Sequence, residues 1–319
     1  MDTPPPGGVS VSIEHKPAPV SYAPRRVPRE SFLDLRGHRH HVLEFGPAGT
    51  PPAVFLHGWA DTAATFQFLI DCFEGDHAIL ALDWRGFGAS AWQASSYWFP
   101  DYLADLDALL DQVLPGHPAT LLGHSMGGNI AGLYGGIRPE RVRAVVNLEG
   151  LGLKRTQAAD APARYRRWLR ELNERPAFGR FASRTEFSRM LARKNPRLSE
   201  ERAAFVALSW AREVEGGGVV LSADPAHKLV NPVLYRREEA EACWRQCIAP
   251  VFMVFGAQSQ FRASLGADGS DDYYRSIFPN LTLATLEGAG HMLHHEVPEA
   301  LAALVEPWLT DPPAAPPPR

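Results

Sequence analysis

Gly123-His124-Ser125-Met126-Gly127-Gly128 is the stretch on which the fold turns. An apolar run, residues 119–122, leads into it, and a helix-period stretch, residues 129–137, leads out of it. A serine held on a strand-to-helix turn, with glycine two residues before and two after, makes the Gly-x-Ser-x-Gly elbow. The small residues let the strand and helix backbones approach closely, and the turn exposes the hydroxyl. The helix N-terminus adds a positive potential where a tetrahedral oxyanion would form. The same five residues occur by chance in loops; the flanking strand and helix give them their weight.

Outward from the elbow the pattern alternates. Residues 31–35 and 41–45, split by Arg36-Gly37, read as an opening hairpin. Short apolar runs follow at residues 53–56, 77–82, 119–122, 142–148, 251–255 and 281–286. Between them lie helical periods. In residues 101–114, Tyr102, Leu103, Leu106, Leu109, Leu110 and Val113 recur at steps of three and four, and residues 298–309 read similarly. Continuous apolar strands alternating with helices imply an α/β protein: a mostly parallel β-sheet covered on both faces. The alternation breaks after Gly150. Residues 151–246 carry helical patterns, such as Tyr165, Trp168, Leu169 and Leu172, with hardly any strand, and read as a helical cap inserted over the sheet. The expected domains are a core of residues 29–150 and 247–310 with this cap between. Arg164, Arg166, Arg167 and Arg170 read as the solvated side of a cap helix.

Seven of the 28 prolines precede Arg29 and five follow Thr310, so residues 1–28 and 311–319 are expected to be flexible tails. The 319 residues are 45% hydrophobic and 21% charged, enough to bury one large core. The net charge of −4, without blocks of like charge, argues against nucleic-acid or membrane partners. No apolar run approaches the roughly 18 residues of a membrane helix, and no leader segment is expected. Cys72, Cys243 and Cys247 are too few for a disulfide framework and read as buried small hydrophobes. A cytoplasmic, reducing setting is the expectation.

Two further motifs carry chemistry. His57-Gly58-Trp59 ends an earlier strand, where a turn can aim the Trp59 N–H at an oxyanion beside the Met126 N–H. Gly288-Ala289-Gly290-His291 lies between the last strand and the final helix. A serine hydroxyl is a poor nucleophile until a neutral imidazole takes its proton, so His291 is the expected base. His294 and His295 follow, but a metal site there lacks carboxylate or cysteine partners at familiar spacing, and none is expected. His38, His40 and His41 are expected on the surface of the hairpin. Asp83 and Arg85 are expected to fix their loop, and Trp92, Tyr97, Trp98 and Phe99 form an aromatic cluster of pocket wall or cap packing.

The order His57-Gly58-Trp59, Asp83-Trp84-Arg85-Gly86-Phe87-Gly88, Gly123 to Gly128 and Gly288 to His291 resembles the α/β-hydrolase superfamily. His57-Gly58-Trp59-Ala60-Asp61-Thr62, Tyr102-Leu103-Ala104-Asp105-Leu106 and Asn147-Leu148-Glu149-Gly150 resemble its serine-hydrolase-like branch. Many members place an aspartate three residues after the glycine that ends the strand before the histidine strand. Here Ser259 occupies that place, and a serine cannot stabilise an imidazolium as a carboxylate does. The resemblance offers Glu149, at the tip of the strand after the elbow helix; Asp268, Asp271 or Asp272 reaching back from the next loop are the alternatives.

The resulting expectation is a hydrolase of carboxylic esters, or of thioesters or amides, needing no cofactor or metal. Its catalytic residues are Ser125, His291 and Glu149, its oxyanion hole Trp59 and Met126, and its substrate-binding residues Trp59, His124 and Trp98. The substrate is a small acyl compound. The alternatives are a vestigial ligand-binding member, or a carbon–carbon bond hydrolase or acyltransferase of the same fold.

Overall fold

The computed structural model describes residues 21–93 and 96–313. Its centre is an eight-stranded sheet in the order β1-β2-β4-β3-β5-β6-β9-β10. The strands are β1 Arg29–Leu35, β2 His38–Phe45, β3 Ala53–Leu56, β4 Ile79–Leu82, β5 Ala119–His124, β6 Val142–Leu148, β9 Val251–Gly256 and β10 Leu281–Leu286. Arg36 and Gly37, both at positive φ, close the β1–β2 hairpin in the primed turn that suits strand twist. β2 runs antiparallel to β1 and β4, and every later pair is parallel. β3, β4, β5 and β9 are buried at every position, as strands covered on both faces must be.

The covering helices in chain order are α1 Gln67–Ile70, α2 Phe99–Val113, α3 Met126–Ile137, α4 Ala161–Glu174, α5 Arg184–Lys194, α6 Glu200–Trp210, α7 Arg237–Arg245, α8 Gln260–Ser264, α9 Asp271–Ile277, α10 Leu293–Glu296 and α11 Pro298–Thr310. Leu106, Leu109 and Leu110 of α2 are fully buried against the sheet. Each such side chain contributes about 1.5–3 kcal/mol through burial.

The region after Gly150 differs from expectation in two ways. A small antiparallel pair, β7 Ala211–Glu213 and β8 Val219–Leu221, sits among the helices, turned by glycines 216 to 218. Helix α7, expected in the cap, packs against α3, and its Trp244 is buried and stacked on Phe278. By packing, α7 therefore goes with the helices on the sheet rather than with α4 to α6. The cap has its own small core of Phe187, Ala207, Ala211 and Val219.

Two other expectations change. Tyr22, Arg25 and Arg26 all donate to the Asp71 carboxylate, at 2.8 to 2.9 Å, so the segment before β1 is tied to the core. Residues 1–20 and 314–319 of the expected tails lie outside the described residues. His40 and His41 are buried rather than on the surface, because α2 and the loop after β4 cover the two faces of β2 here. His41 Nδ1 lies 2.7 Å from Asp83, and His40 Nε2 lies 3.3 Å from Asp105. All three cysteines are free, and Cys247 is fully buried. Among the described residues no helix is long and apolar enough to cross a membrane.

Candidate active site

Strand register brings the site together. Gly123 of β5 faces Leu56 of β3 on one side and Asn147 of β6 on the other, and Leu148 faces both His124 and Val254. The residues that next leave the sheet, His57, Ser125 and Glu149, therefore emerge at one edge and one level. The Ser125 N–H donates to the Leu148 carbonyl (2.8 Å), and the Glu149 N–H donates to the Val254 carbonyl (3.2 Å).

Ser125 sits at φ 51, ψ −109, a backbone conformation that a side chain adopts only when its surroundings enforce it. Close packing does the enforcing: a Cβ on Gly127 would stand 2.0 Å from the Leu56 carbonyl oxygen, and one on Gly123 would stand 2.3 Å from the Gly127 carbonyl oxygen. Glu149 is strained likewise, at φ 59. Its turn is held by Asn147, whose Oδ1 accepts from Gly150 N (2.7 Å) while its Nδ2 donates to the Gly150 carbonyl (3.0 Å).

The three side chains form a hydrogen-bonded chain. Ser125 Oγ lies 3.0 Å from His291 Nε2, and His291 Nδ1 lies 3.1 Å from Glu149 Oε2. Glu149 is fully buried, whereas His291 and Ser125 keep partial access to solvent. The carboxylate takes two more donors, Gly256 N on Oε1 (2.9 Å) and Ser259 Oγ on Oε2 (2.5 Å). Such an array allows Nδ1–H to donate to the carboxylate, leaving Nε2 free to accept the serine proton. Ser259, in the place where many relatives carry the acid, is thus a donor to Glu149. Its sequence position signalled a departure from the pattern but not this partnership.

Two of the three aspartates weighed against Glu149 are engaged elsewhere, and the third faces solvent. Asp268 pairs with Arg155 (2.9 Å) and Arg237 (3.6 Å), Asp271 pairs with Arg262, and Asp272 is exposed on the first turn of α9.

His57 explains the His-Gly-Trp motif. Its Nε2 accepts the Trp84 N–H (2.9 Å), so the proton sits on Nδ1 and is donated to the Gly58 carbonyl (2.7 Å). Burial holds its pKa below the ordinary histidine range, so the ring stays neutral and fixes the loop that carries Trp59. Asp83 is a loop anchor, accepting from Ala63 N (2.7 Å) and Ala89 N (3.0 Å), while Arg85 forks onto Asp105.

Of the expected substrate-binding residues, Trp59 is half exposed, with its ring 6.2 Å from that of Phe178 in the cap, and Trp98 is 56% exposed at the start of α2. His124 departs from expectation. It is buried, and its Nε2 meets the His291 carbonyl (2.8 Å), so it supports the histidine loop from behind. In the aromatic cluster Tyr97 turns inward, stacks on His227 of the cap and donates to Asp224 (2.9 Å). A separate depression of ≈ 320 Å³, lined by Phe45, Ile79, Leu114 and His117 among others, lies at the opposite ends of the strands.

The sequence profile of the alpha/beta hydrolase fold matches residues 51–298. Over 275 residues the chain is 28% identical to a serine hydrolase-like protein of Danio rerio, covering 83% of each. Over 251 residues it is 26% identical to 2-(acetamidomethylene)succinate hydrolase of Mesorhizobium japonicum, covering 78% of this chain and 84% of that one. The thioesterase domain from the curacin biosynthetic pathway superposes with a TM-score of 0.77 at 23% identity, over 88% of this chain and 99% of that one, a likeness of fold. With the elbow, the strand order and the profile match in agreement, this chain belongs to the alpha/beta hydrolase fold family.

Proposed function

We propose that the protein is a cytoplasmic serine hydrolase of carboxylic esters, extending to thioesters or amides, that works through an acyl-enzyme on Ser125. The observation that supports this reading is the Ser125–His291–Glu149 chain at 3.0 and 3.1 Å. In the first step His291 Nε2 takes the Ser125 proton as Oγ attacks the substrate carbonyl carbon. The N–H groups of Trp59 and Met126 receive the developing oxyanion. The imidazolium, stabilised by the Glu149 carboxylate, then protonates the leaving group as the tetrahedral carbon collapses to the acyl-enzyme. Water, deprotonated by His291, attacks the acyl carbon; collapse releases the acid and returns the proton to Ser125 Oγ.

The test is intact-protein mass after brief exposure to a fluorophosphonate, on wild type and on Ser125→Ala. A single stoichiometric adduct on wild type, absent from the variant, is expected, together with hydrolysis of a graded ester series. A folded wild type that takes no adduct from either a large or a small probe would sink the proposal. A ligand-binding role for the same cleft would then lead.

A further inference from the structure

Behind the histidine loop lies a second group of polar side chains that the proposed reaction does not use. Asp61, four residues after His57, is buried and accepts three donors on Oδ1: Thr62 N (2.7 Å), Thr65 Oγ1 (2.6 Å) and Trp210 Nε1 (2.8 Å). Its other oxygen, Oδ2, has no hydrogen-bond partner among the described residues. It faces His294 Nε2 at 3.5 Å and His124 Nδ1 at 4.0 Å. His294 and His295 are buried as well, and both nitrogens of His294 and Nε2 of His295 lack partners among the described residues. One donor atom from each of Asp61, His294 and His295 lies within 4.8 Å of the others.

Leaving such buried groups unpaired is unfavourable, because each has given up its bonds to water. Because His124 donates through Nε2 to the His291 carbonyl, its Nδ1 offers a lone pair when the ring is neutral. One imidazole N–H from His294 could satisfy the carboxylate, but the remaining ring nitrogens would stay unpaired. A divalent cation meets several lone pairs at once. The 3.5 Å between Asp61 Oδ2 and His294 Nε2 is close to the edge of a tetrahedron with metal bonds of about 2.1 Å. With all three donor atoms within 4.8 Å of one another, His295 reaches the same centre by a side-chain adjustment. Chain spacing hides this set, since 233 positions separate Asp61 from His294.

We propose that Asp61, His294 and His295 bind a divalent transition metal of the zinc class, with His124 Nδ1 as a fourth donor. Two imidazoles and a carboxylate are borderline ligands suited to zinc and its neighbours rather than to calcium or magnesium. The site joins the loop carrying Trp59, two residues before Asp61, to the turn carrying His291, three residues before His294. A metal there clamps the two loops together from the buried side. Its occupancy is read from metal content, so this proposal stands or falls separately from the hydrolase reading.

The test uses the full chain, stripped with a chelator, desalted and equilibrated with Zn²⁺ alone. After gel filtration about one zinc per chain is expected, with Tm raised by several degrees. Cobalt substitution of the wild type is expected to give the visible absorption of a low-coordinate nitrogen and oxygen site. His294→Gln and His295→Gln are each expected to cut retained metal by about tenfold or more. Should either variant fail to fold, the wild-type cobalt spectrum and zinc stoichiometry still decide. The proposal is overturned by retention below about a tenth of an equivalent with unchanged Tm, or by undiminished retention in both folded variants.

Discussion

Helices α2 and α4 carry the same apolar period and come to opposite ends. In α2, Leu106, Leu109 and Leu110 are fully buried against the sheet. In α4, Tyr165, Leu169 and Leu172 are 49%, 55% and 38% exposed, and the one buried position is Glu171, which accepts the Val230 N–H. Periodicity tells a chain to form a helix with an apolar stripe; it does not supply the surface on which the stripe is buried. The sheet supplies that surface for α2, whereas the stripe of α4 meets none; elsewhere the cap meets the core by packing, as Phe205 of α6 does on Phe68, and through polar ties. Gly88 N donates to the Ser222 carbonyl, Asp224 N to the Gly86 carbonyl, and Asn195 Nδ2 to Glu296, whose other oxygen holds the Gly290 N–H next to His291. The core thus fixes the chemistry, and the cap rests on the loops that border it.

The sharpest way to break this division is at the core's buried carboxylate. Glu149→Gln is expected to lower kcat/KM on the order of 10⁴-fold on the best ester, with the protein folded. Survival of activity within about threefold would remove Glu149 from the proposed triad.

Stability measurements then test whether core and cap differ as their burial implies. Leu109→Ala is expected to destabilise by about 2–5 kcal/mol in denaturant unfolding, and Leu169→Ala by less than about 0.5 kcal/mol. Equal losses would mean that the α4 stripe is covered in solution.

Ser259→Ala is a subtler probe of the core. Removing a donor from a buried carboxylate costs about 1.5–3 kcal/mol, which if felt in the transition state lowers kcat about 10- to 100-fold. Unchanged kcat would leave Ser259 as no more than the cap of α8, where it accepts the Arg262 N–H.

The smallest expected effect is on pH dependence. Burial holds His57 of the core below its ordinary pKa and pushes His227 of the cap down to about 3. Both are neutral when folded and take up protons on unfolding. The stability they permit is therefore present above pH of about 6.5 and is lost as pH falls toward the folded values, by up to about 1.4 kcal/mol per pH unit for each ring. His227→Phe keeps an aromatic ring between Phe87 and Tyr97 and is expected to flatten the slope between pH 7 and 5. An unchanged slope would show that His227 is accessible to protons in the folded chain.

Local chemistry made the elbow, the two glycine-framed histidine turns and the strand and helix alternation readable. Each depends on neighbours a few positions apart: a tight turn needs its glycines, and a helix its period. Residues 101–114 and 129–137 were expected helical and belong to α2 and α3, with the elbow serine itself capping α3. Glu149 was reachable only through a resemblance, and the reason lies in strand order. β6 lies between β5 and β9, so its tip meets both the elbow and the Gly256–Ser259 turn.

What the sequence alone determined was the α/β class, the elbow and the identity of the nucleophile and base candidates, because these rest on short-range geometry. Tertiary structure decided everything that depends on distant segments meeting. It turned His124 inward, buried His40 and His41 beside Asp105 and Asp83, gave α7 to the core, and placed Ser259 on Glu149. It also set Asp61 against His294. A charge or a lone pair finds its partner through the packing of the sheet, and no spacing along the chain encodes that distance.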